Sequence, residues 1–147
     1  MLIKLSIVIP CYNELKNLPL LLDRCGQVVV RKDIEIVLVD NGSTDESYTF
    51  LNESLSEFPF ISLVHVEKNQ GYGHGILEGL KAASGEILAW SHADMQTDPG
   101  DIIKGLEYFE NVSDPSLIFA KGRRYGRPII DSFFTVGMSL FETLLMR

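Results

Sequence analysis

The chain has 147 residues, 46% of them hydrophobic, and a formal net charge of −7. That is enough apolar material for one domain with a real core and too little for two. An acidic balance with no long Lys/Arg block argues against nucleic acid as a partner. Two cysteines, Cys11 and Cys25, give no disulfide framework and read as buried free thiols.

In chain order, residues 2–9 form a near-continuous apolar run rich in Ile and Val, the pattern of a strand buried on both faces. Lys4 interrupts the run and no small-residue cleavage site follows. It therefore reads as a first strand and not as a signal segment, and the expected location is cytoplasmic. Asn17-Leu-Pro19 opens a helix to about Cys25, with Leu18, Leu21, Leu22 and Cys25 on one face. Residues 34–39 are the second strand. Ser43 is expected to cap the next helix, with Glu46 completing a capping box and Phe50, Leu51 and Leu55 facing inward.

Residues 61–66 are the third strand. Residues 73–84 are the third helix, with Ile76, Leu80 and Ala83 apolar and Gly85 as its stop. Residues 86–90 are the fourth strand. Asp98 then caps a helix with Pro99 at its first position and Ile102, Ile103, Leu106 and Phe109 as its buried stripe. Residues 117–120 read as a fifth short strand. This alternation implies an α/β fold, with a mainly parallel, Rossmann-like sheet flanked by helices.

Residues 129–146 differ from the rest. Asp131, Ser132, Thr135, Ser139, Glu142 and Thr143 fall on a helical stripe about 120° wide at 100° per residue, and the remaining circumference is apolar. Two carboxylates inside the run argue against a spanning helix. Such a helix must bury its surface against its own core, a partner subunit in a homodimer, or a membrane surface. The expected division is a binding domain over residues 1–128 and the start of an acceptor, membrane-interface or dimer region over residues 129–147. The stop at Arg147 implies that the natural protein is longer or that this helix closes a small domain.

The polar motifs follow the strands. Val39-Asp-Asn-Gly-Ser-Thr-Asp45 comes directly off the second strand. Asp40 there can accept hydrogen bonds from a base N–H, and Asn-Gly lets the backbone turn close to a ligand. Read blandly, Asp40 and Ser43 end a strand and cap a helix. Pro10-Cys-Tyr-Asn-Glu14 repeats the arrangement one strand earlier, with Tyr12 as a ring for stacking and Glu14 as an acceptor. Asn69-Gln-Gly-Tyr-Gly-His-Gly75 is a glycine-rich joint that can present N–H groups to phosphate. His74 reads as a surface loop residue and His65 as a structural residue of its strand.

Trp90-Ser-His-Ala-Asp-Met-Gln-Thr-Asp-Pro99 is the most chemically loaded stretch. In an extended loop His92, Asp94 and Gln96 would face one way. Asp94 and the Gln96 amide oxygen suit a hard divalent cation bridging a diphosphate, and the His92 nitrogen suits Mn²⁺ better than Mg²⁺. The densest positive cluster is Lys121-Gly-Arg-Arg-Tyr-Gly-Arg127.

Together and in this order, the motifs resemble family 2 inverting glycosyltransferases of the GT-A fold, over about residues 5–125. The opening motif of that family is matched by Pro10, Tyr12, Asn13 and Glu14, and its base-binding aspartate motif by Asp40, Gly42, Ser43 and Asp45. Its Asn-x-Gly loop is matched by Asn69 and Gly71, and its Asp-x-Asp motif falls on His92-Ala-Asp94. In style the chain is closest to polyprenol- and dolichol-phosphate sugar transferases, whose Asp-x-Asp-Leu-Gln-x-x-Pro appears here as His92-Ala-Asp-Met-Gln-Thr-Asp-Pro99. The Gly-Ser-Arg-Tyr-like segment of that group appears as Gly122-Arg-Arg-Tyr125.

The resemblance implies a nucleotide-sugar donor, UDP- or GDP-linked, held by Pro10, Tyr12, Glu14, Asp40, Asn69, Gly71 and Asp94. It implies a divalent metal, Mg²⁺ or Mn²⁺, on Asp94, Gln96 and His92, and Arg123 and Arg124 beside an acceptor phosphate. The acceptor would be a lipid phosphate or a glycan, at the inner face of a membrane. Two departures stand out: His92 replaces the first aspartate, and no catalytic base for a hydroxyl acceptor is found. A phosphate acceptor is already anionic and needs no strong base. The alternatives are a non-catalytic nucleotide-sugar-binding or assembly domain, and a nucleotidyltransferase of the same fold. The second lacks a glycine-rich, basic triphosphate loop after the first strand.

Overall fold

The computed structural model describes residues 2–122. Four strands, β1 (Leu5–Cys11), β2 (Ile34–Asn41), β3 (Ile61–Val66) and β4 (Ile87–Trp90), form one parallel sheet in the order β3-β2-β1-β4. The helices between them are α1 (Leu18–Val28), α2 (Ser47–Ser54), α3 (Tyr72–Ala82) and α4 (Pro99–Glu110). The α/β architecture expected from the alternating pattern is therefore present.

β1 is buried at every position, and strand alternation splits its contacts between two layers. Leu5, Ile7, Ile9 and Cys11, with Ile34, Ile36 and Leu38 of β2, pack with Leu18, Leu21, Leu22 and Cys25 of α1, Leu51 of α2 and Leu106 of α4. Val8, Val37 and Val39 form the core on the other face, with Leu80 and Ala83 from α3 and its end. Gly79 lets α3 approach the sheet. A Cβ there would collide with Val8 Cγ1 and stand 2.8 Å from Val39 Cγ2.

Both thiols are buried and free, as expected. Burial, reinforced by Asp98 and offset by Arg24, pushes the Cys25 thiol up to about 12. Burial likewise pushes the Cys11 thiol up, with Asp40 and Glu14 adding to it.

Two expectations fail. The second helix starts at Ser47 with Glu46, not Ser43, at the N-cap, and Glu46 makes no side-chain cap bond. Ser43 Oγ accepts the Asn13 N–H instead, and Asp45 Oδ1 accepts from Ser47 N, so loop closure claims the groups a capping box would use. The fifth strand is also absent among the described residues. Pro115–Leu117 is a 3-10 turn, because Asp114 Oδ1 accepts from both Ser116 N and Ser116 Oγ and Pro115 suits the first turn. No strand is formed over residues 118–120, and Phe119 lies exposed beside Trp90 of β4. Residues 129–146 and the two arginines Arg123 and Arg124 lie outside the described residues.

Candidate functional site

Parallel register places the polar ends of the strands along one edge. Cys11 pairs with Asp40, Asp40 with His65, and Val8 with Trp90. The loops after β1, β2, β3 and β4 therefore emerge side by side, at the edge where open α/β sheets bind ligands. Pro10, Tyr12, Glu14, Asp40, Asn69, Gly71, His92, Asp94 and Gln96 all lie at this edge or on these loops.

The first three loops are tied together. Asn13 takes a left-handed φ of 55°, a conformation asparagine tolerates better than most residues. Its Oδ1 accepts from Thr44 N at 2.8 Å and Asp45 N at 3.3 Å, and its own N–H donates to Ser43 Oγ at 3.0 Å. Glu14 N donates to Ser47 Oγ at 3.0 Å, and Glu14 Oε2 accepts from Asn17 Nδ2 at 2.6 Å. Asn41 Nδ2 donates to Gly71 O at 3.0 Å, joining the second loop to the third. Gly42 has φ 72°, and a Cβ there would strike the Lys68–Asn69 backbone. Asn69 Oδ1 then accepts from Gly71 N at 2.7 Å.

Asp40 is fully buried, with 0% of its side chain exposed. Its Oδ1 accepts from Ser43 N at 3.3 Å and its Oδ2 from His65 Nδ1 at 2.9 Å. Tyr48 of α2 packs on the His65 ring, with centroids 4.2 Å apart. The sequence alone reads His65 as a structural residue of its strand; parallel register sets it beside Asp40, the last residue but one of β2.

The fourth loop is arranged differently. Met95 is left-handed at φ 58°, and Asp94 Oδ1 accepts from Gln96 N at 3.0 Å. The loop is therefore a tight turn and not extended, which removes the simple alternation of His92, Asp94 and Gln96. His92 lies flat on Tyr72, with ring centroids 4.9 Å apart and 5° between planes. Tyr72 OH donates to Ser91 O at 3.2 Å and stands 3.4 Å from His92 Nε2.

No group of three His, Cys, Asp or Glu side chains converges as a metal cage among the described residues. The donor set nevertheless suits an ion shared with a ligand. Mg²⁺-type sites take one or two carboxylates and complete themselves with substrate phosphates. Among the described residues Asp94 Oδ2 accepts no hydrogen bond, and the adjacent Gln96 side chain is exposed.

Asp98 is a cap, as expected: its Oδ1 accepts from Gly100 N at 2.8 Å. It also receives a two-pronged contact from Arg24, with Nε–Oδ1 at 3.0 Å and Nη2–Oδ2 at 2.6 Å. The hydrogen bond from Arg24 holds the Asp98 carboxyl below its usual range against the opposing effect of burial.

Residues 6–131 match the family described as glycosyl transferase family 2. A dolichol-phosphate mannosyltransferase of Pyrococcus furiosus is 34% identical over 122 residues, which is 83% of this chain and 33% of that protein. An undecaprenyl-phosphate 4-deoxy-4-formamido-L-arabinose transferase of Enterobacter sp. is 39% identical, over 67% of this chain and 31% of that one. The chain thus spans about a third of the length of the curated relatives it matches. Among solved structures, the mannosyltransferase PcManGT of Pyrobaculum calidifontis, in complex with GDP-Man and Mn²⁺, superposes with a TM-score of 0.61 at 26% identity. That match covers 68% of this chain and 30% of that one. S. aureus TarS 1-349 in complex with UDP-GlcNAc gives a TM-score of 0.62 at 26% identity, over 73% and 31%. The parallel sheet and its helices are those of the GT-A fold.

Proposed function

The chain belongs to glycosyl transferase family 2, and from that premise we propose that it is the donor-binding part of a transferase moving a sugar from a UDP- or GDP-linked donor to a polyprenyl-phosphate acceptor, with inversion. One observation carries the reading. Glu14 and Asp94, on the loops after β1 and β4, and Asp40, near the end of β2, stand at one edge of the sheet, and the loops after β1 and β2 are fixed by bonds already made.

In this reading the loops after β1 and β2 bind the nucleoside, with Pro10, Tyr12 and Glu14 on one side and Asp40 on the other. Asn69 and Gly71 shape the loop that closes over it. Asp94 would hold a divalent ion on the donor diphosphate, with the Gln96 amide oxygen beside it and His92 contributing a ring nitrogen. When bound, such an ion would neutralise charge gathering on the leaving nucleotide. Arg123 and Arg124 would orient the acceptor phosphate by charge-assisted hydrogen bonds. The phosphate oxygen attacks the anomeric carbon from the face opposite the leaving group, so no side chain need remove a proton. A lipid-linked acceptor would bring residues 129–146 to the inner surface of a membrane. Among the described residues no helix is long and apolar enough to cross one.

Calorimetry with UDP- and GDP-linked sugars, with and without Mn²⁺, tests the reading, followed by transfer to undecaprenyl or dolichyl phosphate in detergent. One of the two donors is expected to bind, and Mn²⁺ to tighten it by about tenfold or more, 1.4 kcal/mol per decade. No binding of either donor overturns the proposal. Donor binding without transfer to either lipid overturns its lipid-acceptor part.

A further inference from the structure

The carboxylate assigned to the nucleobase is covered. Asp40 has none of its side chain exposed, and both oxygens already accept hydrogen bonds, Oδ1 from Ser43 N and Oδ2 from His65 Nδ1. A base N–H could reach it only if the groups that cover it moved aside. The histidine is the exposed member of the pair, with 41% of its side chain open. We infer that the Asp40–His65 pair reads the nucleobase as a unit, with His65 Nε2 as the atom that meets it.

The chemistry follows from the partner. An ionised carboxylate only accepts, so the proton of the contact sits on Nδ1. In its neutral form the ring then carries a lone pair on Nε2, and that nitrogen has no hydrogen-bond partner among the described residues. Asp40 thereby fixes the tautomer and the ring orientation, the way a carboxylate behind a histidine commonly does. Two further constraints hold the ring. His65 is the register partner of Asp40 on the neighbouring strand, and Tyr48 packs against its face at 4.2 Å.

A fixed acceptor sorts bases into two classes. Uracil presents N3–H and guanine N1–H on the pairing edge. Cytosine and adenine present a bare ring nitrogen at the corresponding position, lone pair against lone pair. The site would therefore take uridine or guanosine diphosphates and reject cytidine and adenosine diphosphates. Mispairing of this kind discriminates strongly when the site's polar group is otherwise left unpaired.

This inference rests on the nucleotide-binding reading above, and the test separates the two. Calorimetry is run with UDP, GDP, CDP, ADP and 3-methyl-UDP, which lacks the imide N–H. The wild-type chain is expected to bind UDP or GDP at least about tenfold more tightly than CDP and ADP, and if UDP is the tighter, than 3-methyl-UDP by a similar factor, 1.4 kcal/mol per decade. His65→Asn keeps an amide donor for Asp40 but is too short to place an acceptor where Nε2 stands. Its preference should vanish while its affinity for CDP stays within about twofold. His65→Phe, which keeps the ring against Tyr48 and loses both nitrogens, should lose the preference as well. A purely structural role would weaken all nucleotides together and leave the ratio intact. An undiminished preference in His65→Asn overturns the inference and returns the role to Asp40. Equal binding of all five by the wild type overturns the inference alone. No binding of any overturns the nucleotide reading and the inference with it.

Discussion

The loops after β1, β2 and β3 and the loop after β4 stand on the same edge of one sheet, yet they are built in opposite ways. On the first side, Asn13, Ser43, Asn41 and Gly42 join each loop to the next through side-chain bonds and backbone contact. On the other, among the described residues, the His92–Gln96 turn meets the third loop through the Tyr72 ring and is anchored to α1 at its far end by Asp98. The difference is what the two halves of a nucleoside diphosphate sugar would ask for. A base and ribose are rigid, so a site preformed for them avoids an ordering cost on binding. A diphosphate with its ion brings its own ligands, so the protein need offer only a carboxylate and room.

The comparison is easiest to break at Asp94. Asp94→Asn should lower sugar transfer by about 100-fold or more, roughly 2.7 kcal/mol at 1.36 per decade. Metal-free affinity for the nucleotide should barely move. Transfer surviving within about tenfold, or a matching loss of metal-free affinity, would mean that the two sides do not divide the work.

Gly42→Ala attacks the preformed side. The residue would be held at φ 72° with its Cβ against the Lys68–Asn69 backbone. Left-handed strain plus that collision costs about 2–3 kcal/mol. At roughly 3–4 °C per kcal/mol for a domain of this size, the thermal midpoint should fall by about 6–12 °C. A shift under about 2 °C would show that the second and third loops are free to part.

Asn13→Gly is gentler. Glycine accepts the φ of 55° without strain, so the change removes the side-chain hydrogen bonds with Thr44 and Asp45 and adds only the chain entropy of glycine. Their loss should cost about 1–2 kcal/mol and weaken nucleotide binding more than metal binding. Asn13→Asp, which keeps the acceptor, should recover most of it. If Asn13→Gly binds nucleotide as tightly as the wild type, the first two loops are not a preformed clamp.

Much of this edge was legible in the sequence because it depends on local pattern. Short apolar runs, buried in β1 and β2 and partly exposed in β3 and β4, located four strands within a few residues, and Asp98-Pro99 marked the start of α4. What sequence order did not reveal depends on contacts between distant residues. Ser43 has the right spacing for a capping box, but Asn13, thirty positions earlier, takes its hydroxyl. His65 looks like one polar residue in a strand until parallel register sets it beside Asp40. His92 was read as a metal ligand in an extended loop, and Met95 at φ 58° with Tyr72 stacked on the imidazole gives it a different setting. Residues 117–120 are apolar enough for a strand, but Asp114 and Pro115 turn the chain just before them.

The smallest effect concerns the anchor of the fourth loop. Arg24 depresses the Asp98 carboxyl, so the folded value lies below the unfolded one, near 3.9. A carboxyl shifted in that direction stabilises the fold above the unfolded value, and the contribution is lost as pH falls through the folded one. The pair is half exposed, so the effect is confined to the acid limb of the stability curve. Asp98→Asn keeps an oxygen for Gly100 N and stays a good cap while removing the charge. Its midpoint should therefore separate from that of the wild type above about pH 5 and converge with it as pH falls through the depressed folded value. Arg24→Met should show the same convergence. Asp33 beside Arg31 titrates in the same sense, and its contribution cancels because it is common to all three proteins. If the curves run parallel through pH 3–6, the guanidinium does not hold this carboxylate, and the fourth loop's far end is tied down by the cap alone.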